Sequence, residues 1–310
     1  ISVIEKVVKI NQKDHAQGHI CPGVEKWLKL GPAGLLSIAN DKLQIAADDR
    51  KVFYESVCTS LEAACKFICR YGSMASDMAK IQNKGSLRNN LEEIASVCIK
   101  LSAEPPETFR EALQSVWFLF VILHMESNAS SFSPGRMDQY LYPYYEKDIE
   151  SERINHSEAV ELLDALFIKF NQIVYMRNAH SAKYFAGFPI GFNVTVGGQK
   201  KNRSDATNEL TYLILKALDH TRLPQPNLTA RLHKQSPDKF ISECSRVIGL
   251  GNGMPQIVND ESIIPALRSL GIDPNDCRDY ALVGCVELSP QGNFLGWSDA
   301  AMFNLVKVLE

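Results

Sequence analysis

Cys285 and Glu287 set a thiol and a carboxylate two residues apart. Gly284 precedes the cysteine, and glycine permits a close approach or an unusual backbone angle. In an extended backbone the side chains at i and i+2 share a face, so thiol and carboxylate can look into one cavity. A nucleophilic cysteine wants a positive neighbour that lowers its pKa, whereas a carboxylate beside it keeps the thiol protonated. An intact S–H is poor for acyl transfer but suits hydrogen-atom chemistry, with Glu287 free to act as a general base on the same substrate. Two other readings compete. One is a core cysteine next to a loop glutamate. The other is a cysteine hydrolase using Cys285 with His19, against which Glu287 argues.

Periodicity gives the secondary structure around this pair. Apolar residues at Val52, Phe53, Val57, Leu61, Ala64, Cys65 and Ile68 predict a helix from about 49 to 70. Cys65 and Cys69 then lie one turn apart. A metal clip is disfavoured because Gly72 stands where an iron–sulfur triplet needs its third cysteine, so both are expected to be buried on one helix face. Further helices are predicted at about 87–102, from about 108 just after Pro105-Pro106, and at 157–176. Strands are predicted at 191–196, 227–232 and 280–285, separated by helices at about 205–220 and 237–250. This alternation predicts an α/β fold of parallel strands with crossover helices, the third strand buried on both faces. Nothing along the chain marks a linker or a repeat, so no division into domains is predicted.

Composition narrows the function. The 310 residues, 45% hydrophobic and 22% charged, are enough for a sizeable core. A net charge of -3 gives no reason to expect nucleic acid or an acidic membrane as partner, and a small, weakly charged substrate fits better. The eight cysteines lack the regular spacing of a secreted scaffold, and the chain opens without a signal-peptide pattern, so a cytoplasmic location is expected. The most apolar run, Val116 to Leu123, is far short of the roughly 20 residues of a membrane span and reads as a buried helix.

Several separated segments together resemble the glycyl radical enzymes of the pyruvate formate-lyase family. They are Gly18-His19-Ile20-Cys21-Pro22, Ser133 to Tyr140, Gly187 to Gly198, Gly253 to Asp260, and Gly284-Cys285-Val286-Glu287 followed by Gly296 to Ala300. The resemblance is to the branch whose cysteine loop reads Gly-Cys-Val-Glu. It implies a ten-stranded α/β barrel with the cysteine loop at its centre, opposite a second loop carrying the glycine that stores the radical.

That resemblance also implies roles. Cys285 would become a thiyl radical and take a hydrogen atom from substrate. Glu287 would deprotonate a substrate hydroxyl, and His19 looks like the histidine that protonates a departing hydroxyl. Asp299 looks like the aspartate that holds substrate hydroxyls, and the stretch from Ser127 to Ser133 resembles the family's substrate-contacting segment, with Asn128 as a further substrate-binding residue and Ser131 or Ser133 as the hydroxyl donor. Residue-level alternatives are a surface or capping role for His19, an N-cap role for Asp299 and turn formation by the serines. Arg136 and Asp138 are expected to pair within the structure.

The implied activity is a lyase, a dehydratase of a small hydroxylated compound resembling glycerol or propanediol. The alternatives are a carbon–carbon or carbon–nitrogen lyase of the same family and a non-catalytic split or truncated scaffold. Gly284 stands where pyruvate formate-lyase itself has a second cysteine, which disfavours formate acetyltransfer. The expected domain reading is that residues 1–310 are the central part of the pyruvate formate-lyase domain, with the N-terminal part and the C-terminal glycine radical domain absent and the isolated piece inactive. Arg246-Val247-Ile248-Gly249-Leu250 superficially resembles the radical-glycine motif but lies on a predicted helix and lacks its tyrosine. No metal is expected in the chain. The implied partners are a radical S-adenosylmethionine activating enzyme and a second copy in a homodimer.

Overall fold

The computed structural model describes residues 8–10, 18–127, 131–174, 183, 191–294 and 301–309. In chain order the helices are α1 (Val24–Gln44), α2 (Asp48–Lys80), α3 (Ser86–Leu101), α4 (Phe109–Ser127), α5 (Met137–Tyr140), α6 (Tyr142–Glu150), α7 (His156–Gln172), α8 (Glu209–Thr221), α9 (Asp238–Ile248), α10 (Asp260–Ser269) and α11 (Leu305–Leu309). The strands are β1 (Val8–Ile10), β2 (Asn193–Gly197), β3 (Asn227–Leu232), β4 (Gln256–Asn259), β5 (Tyr280–Val283), β6 (Glu287–Pro290) and β7 (Ala301–Phe303). The chain divides into two compact units, residues 23–122 with 143–162, and residues 1–22 with 123–142 and 163–310. Among the described residues no helix is long and apolar enough to cross a membrane.

The first unit is helical. Its long helix α2 runs to Lys80, beyond the Arg70 at which the apolar pattern predicts its end. Gly72 marks a close approach rather than a break. A Cβ built there would lie 2.8 Å from Ile99 Cγ1 and 3.1 Å from the Ala95 carbonyl oxygen on α3. Helix packing thus overrides a propensity cost of about 1 kcal/mol. Cys65 is half-buried and Cys69 exposed, which corrects the expectation that both are buried. Helix α4 begins after Pro105-Pro106 as predicted, and the Asp148 carboxylate accepts the Phe109 N–H at 2.8 Å, satisfying a donor that the helix itself leaves open. Trp27 Nε1 donates to Ser115 Oγ at 2.9 Å, so the polar atom of this buried indole is satisfied.

The second unit contains a parallel sheet of order β2-β3-β4, with Asn193 opposite Asn227 and Thr229 opposite Gln256. Helices α8 and α9 make the two crossovers at the predicted places. Val194, Val196, Leu228 and Ala230 are fully buried, together with Leu210 and Ile214 of α8 and Phe240 of α9. Strand β4 is missing from the sequence-based prediction because it is only four residues long and follows Gly253 and Pro255. The third predicted strand departs from expectation. It stops at Val283 and pairs antiparallel with β6, Tyr280 opposite Pro290 and Val283 opposite Glu287, and has no backbone ladder to the parallel strands. The chain reverses at residues 284–286, starting from Gly284 with φ +59°.

Arg231 of β3 and Asp260 at the start of α10 are both fully buried and make a bidentate pair, with Nε to Oδ1 and Nη2 to Oδ2 both at 2.9 Å. The Tyr280 hydroxyl donates to the same carboxylate at 2.7 Å. Burial alone pushes the Asp260 carboxyl up, but Arg231, Tyr280 and the Gln199 N–H together outweigh it and hold it below the usual carboxylate range. A depressed carboxyl pKa gives stability that is present at neutral pH and is lost as pH falls through the folded-state value. Urea denaturation midpoints should therefore fall as pH drops below about 4. Arg231→Met should cost about 3–5 kcal/mol at pH 7, since it strands a buried carboxylate, and should remove part of that acid dependence.

Candidate functional site

Gly284, Cys285 and Val286 form the turn between β5 and β6. Cys285 is exposed at the tip, and Glu287 opens the return strand. The two residues are therefore brought together by a chain reversal and not by alternation along one extended strand. Glu287 folds back over the turn, where its Oε2 accepts the Val286 N–H at 3.1 Å.

Gly284 is the point on which the site converges. A Cβ built on it would lie 2.9 Å from Glu287 Oε2, 3.2 Å from Ser131 Oγ and 3.4 Å from His19 Cδ2. The missing side chain is thus what admits the three polar groups next to the cysteine. His19 Nε2 also lies 3.9 Å from Glu287 Oε1, both side chains being partly buried. Gly191 comes as close from another side, since a Cβ there would sit 2.8 Å from Ser131 Oγ and 3.3 Å from Gly284 Cα.

Backbone bonds set this meeting. The Ser133 N–H donates to the Ile20 carbonyl at 3.0 Å and the Gly292 N–H to the Cys21 carbonyl at 2.9 Å, so the segment carrying His19 is tied on both sides. Below it Cys21 packs against Ala281 and Val283 of β5. Burial first, and Asp279 second, push the Cys21 thiol well above its ordinary range. Cys21 is a packing residue, whereas Cys285 is open to solvent.

Of the predicted site residues, the structure brings His19, Ser131, Cys285 and Glu287 to one place. Asn128 and Asp299 lie outside the described residues. Ser133 is placed differently from Ser131. It is fully buried, accepts the N–H groups of Asn193 and Gly284 at 3.2 Å each, and faces the Gly191 carbonyl at 3.4 Å. A hydroxyl with one proton and two lone pairs has nothing left for a substrate. Arg136 pairs with Asp279 at 3.0 Å, while Asp138 accepts the Gly197 N–H at 2.8 Å and the Thr211 hydroxyl at 2.7 Å. Both are internal as expected, although each bonds to other partners. Asn193 and Asn227 are additions that sequence reasoning missed. Their side-chain amides donate to the Gly284 carbonyl at 3.1 and 3.4 Å. The available signal was an asparagine inside or opening an otherwise apolar strand, a position that demands a partner.

This arrangement, an α/β fold with a cysteine hairpin against parallel strands, is of the glycyl radical enzyme type. It matches a solved glycyl radical enzyme from Archaeoglobus fulgidus with a TM-score of 0.93 at 34% identity, over 99% of this chain and 40% of that one. The pyruvate formate lyase-like family model matches residues 2–310, and the chain belongs to that family. The glycerol-bound B12-independent glycerol dehydratase from Clostridium butyricum matches with a TM-score of 0.93 at 38% identity, over 98% of this chain and 39% of that one. A curated relative, the probable dehydratase YbiW of Escherichia coli (strain K12), is 39% identical over 246 residues, 78% of this chain and 30% of its own length. The chain therefore spans about a third of the length of the relatives it matches.

Two outcomes follow from this geometry. Under native conditions iodoacetamide with peptide mapping should modify Cys285 and Cys69, while Cys21, Cys98, whose pKa burial raises to about 11, and Cys244, raised to about 12, should stay unmodified at neutral pH. Gly284→Ala should lower stability by about 1–2 kcal/mol because of its left-handed backbone, and should displace the Glu287 carboxylate, seen as changed modification of Glu287 by a water-soluble carbodiimide.

Proposed function

We propose that the protein carrying these residues is a glycyl radical lyase, a dehydratase of a small polyhydroxylated substrate. The observation that carries this reading is the convergence of Glu287, His19 and Ser131 on Gly284, beside an exposed Cys285. A carboxylate and an imidazole at one point, with a cysteine next to it on the same turn, are what a 1,2-elimination of water needs. In this reading Cys285, as a thiyl radical, takes a hydrogen atom from the carbon bearing one hydroxyl. Glu287 takes that hydroxyl's proton, and the neighbouring hydroxyl leaves as water with a proton from His19. Cys285 then returns its hydrogen atom to the product carbon. One molecule of diol becomes one aldehyde and one water. The proton that Glu287 has gained and His19 has lost is rebalanced across the 3.9 Å separating Oε1 from Nε2.

Ser131 would hold a substrate hydroxyl, with Asn128 and Asp299 proposed as further contacts. Residues 1–310 are proposed as the central part of the pyruvate formate-lyase domain. The radical would be stored on a glycine outside them, installed by a radical S-adenosylmethionine activating enzyme, with a homodimer as the assembly. Gly249 does not suit that role, since it ends α9 as its C-cap behind Arg246, whose guanidinium pairs with Glu243 and Asp219. The dehydratases among the relatives support dehydration. The glycerol-bound neighbour supports a polyol as the substrate class.

The test is anaerobic activation of the full-length protein that carries these residues with an activating enzyme, followed by electron paramagnetic resonance and turnover of glycerol, 1,2-propanediol and related diols. A glycyl doublet and aldehyde formation are expected. Cys285→Ser should keep the doublet and abolish turnover, and Glu287→Gln should keep it with kcat reduced about 10²–10⁴-fold. Full turnover by Cys285→Ser would overturn the reading.

A further inference from the structure

Strand β5 is bonded to β6 along one edge only, and the other edge is held by side chains. At Tyr280 the carbonyl accepts from Arg231 Nη1 at 2.7 Å. At Leu282 the N–H donates to Thr195 Oγ1 at 3.1 Å. At Gly284 the N–H donates to Ser133 Oγ at 3.2 Å and the carbonyl accepts from Asn193 Nδ2 at 3.1 Å. Residues 280, 282 and 284 lie on one edge of the strand, and each step is met by a buried side chain in place of a neighbouring backbone.

The supporting groups are themselves fixed. Asn193 and Thr195 share one face of β2, and Asn193 Oδ1 accepts the Thr229 hydroxyl of β3 at 3.0 Å. Ser133, Asn193, Thr195 and Arg231 are all fully buried. These bonds are shielded from bulk solvent. We infer that Thr195 and Ser133 are positioning residues, setting through Leu282 and Gly284 the depth at which the hairpin presents the Cys285 thiol. This rests on the proposed function only for its kinetic consequence. The placement of the thiol is a property of the fold.

The test uses the full-length protein that carries these residues, with Thr195→Val, which keeps the shape and removes the acceptor, and with Thr195→Ser, which restores a hydroxyl. Before activation, peptide-resolved alkylation should show the Cys285 rate in Thr195→Val changed by at least about threefold, with Cys69 unaffected. After activation, kcat should fall about 10- to 100-fold with KM within about twofold and the glycyl doublet at wild-type intensity. Thr195→Ser should recover both values. Unchanged Cys285 alkylation and kcat in Thr195→Val, or a loss that Thr195→Ser does not rescue, overturns the inference. A wild-type chain with no doublet and no turnover defeats the functional reading alone, because the alkylation arm still decides the positioning claim. If Thr195→Val does not fold, amide exchange in the wild type decides. Residues 280–284 should exchange as slowly as β2, and fast exchange there overturns the inference.

Discussion

A guanidinium wholly out of water has to be answered on every side, and Arg231 is answered by three residues, Asp260, Arg278 and Tyr280. Asp260 takes two of its N–H groups, the carbonyls of Arg278 and Tyr280 take others, and the Tyr280 ring lies 3.8 Å below its central carbon. Desolvating such a group costs several kcal/mol unless its geometry is met in full, so the interaction constrains more than it stabilises. β3, the start of α10 and the start of β5 can occupy only the positions that satisfy it. Arg136 follows the same logic through its two terminal nitrogens, which donate to Asp279 and to the carbonyls of Arg278, Gly197 and Gln199, while its Nε has no hydrogen-bond partner among the described residues. Both arginines grip the Arg278 carbonyl, just ahead of the strand that leads to the cysteine.

With that entry point fixed, the other end of β5 is free to make a sharp turn. The turn brings an exposed thiol, a carboxylate and an imidazole into one neighbourhood, and only a residue without a Cβ fits at its centre. The two cysteines of this region show how far environment decides chemistry. Cys21, two residues after His19, is buried against β5 and held protonated. Cys285 is offered to whatever enters.

Much of this was legible in the residues. The crossover helices and β3 follow from period and from apolar runs, and the Gly-Cys-Val-Glu loop is distinctive enough to point to its own surroundings. What was not legible is tertiary. The apolar pattern ends the helix near residue 70 because it cannot see the side of α3 that packs against Gly72. The 280–285 run reads as a doubly buried parallel strand because apolar content reports burial and not the identity of the neighbour. Ser133 and Ser131 are indistinguishable in sequence, two hydroxyls two residues apart. Yet one is consumed by three backbone groups and the other stands over Gly284, a difference set by residues that lie 58 to 151 positions away. Asn193 and Asn227 went unread for the same reason, since an amide's partner is invisible until the hairpin is in place.

The hairpin's mode of attachment has a consequence for how such a scaffold can change. A strand joined to a sheet by its backbone can move only in whole-residue steps, because the ladder is the same for every side chain. Here the pairing on the inner edge is written in the lengths of a threonine, a serine, an asparagine and an arginine. Shortening or lengthening one of them tilts or slides the hairpin by a fraction of a residue while the parallel strands stay where they are. The depth and angle of the thiol are thus set one side chain at a time, like a suspended platform trimmed by its cables, with no change to the ladder of the parallel strands.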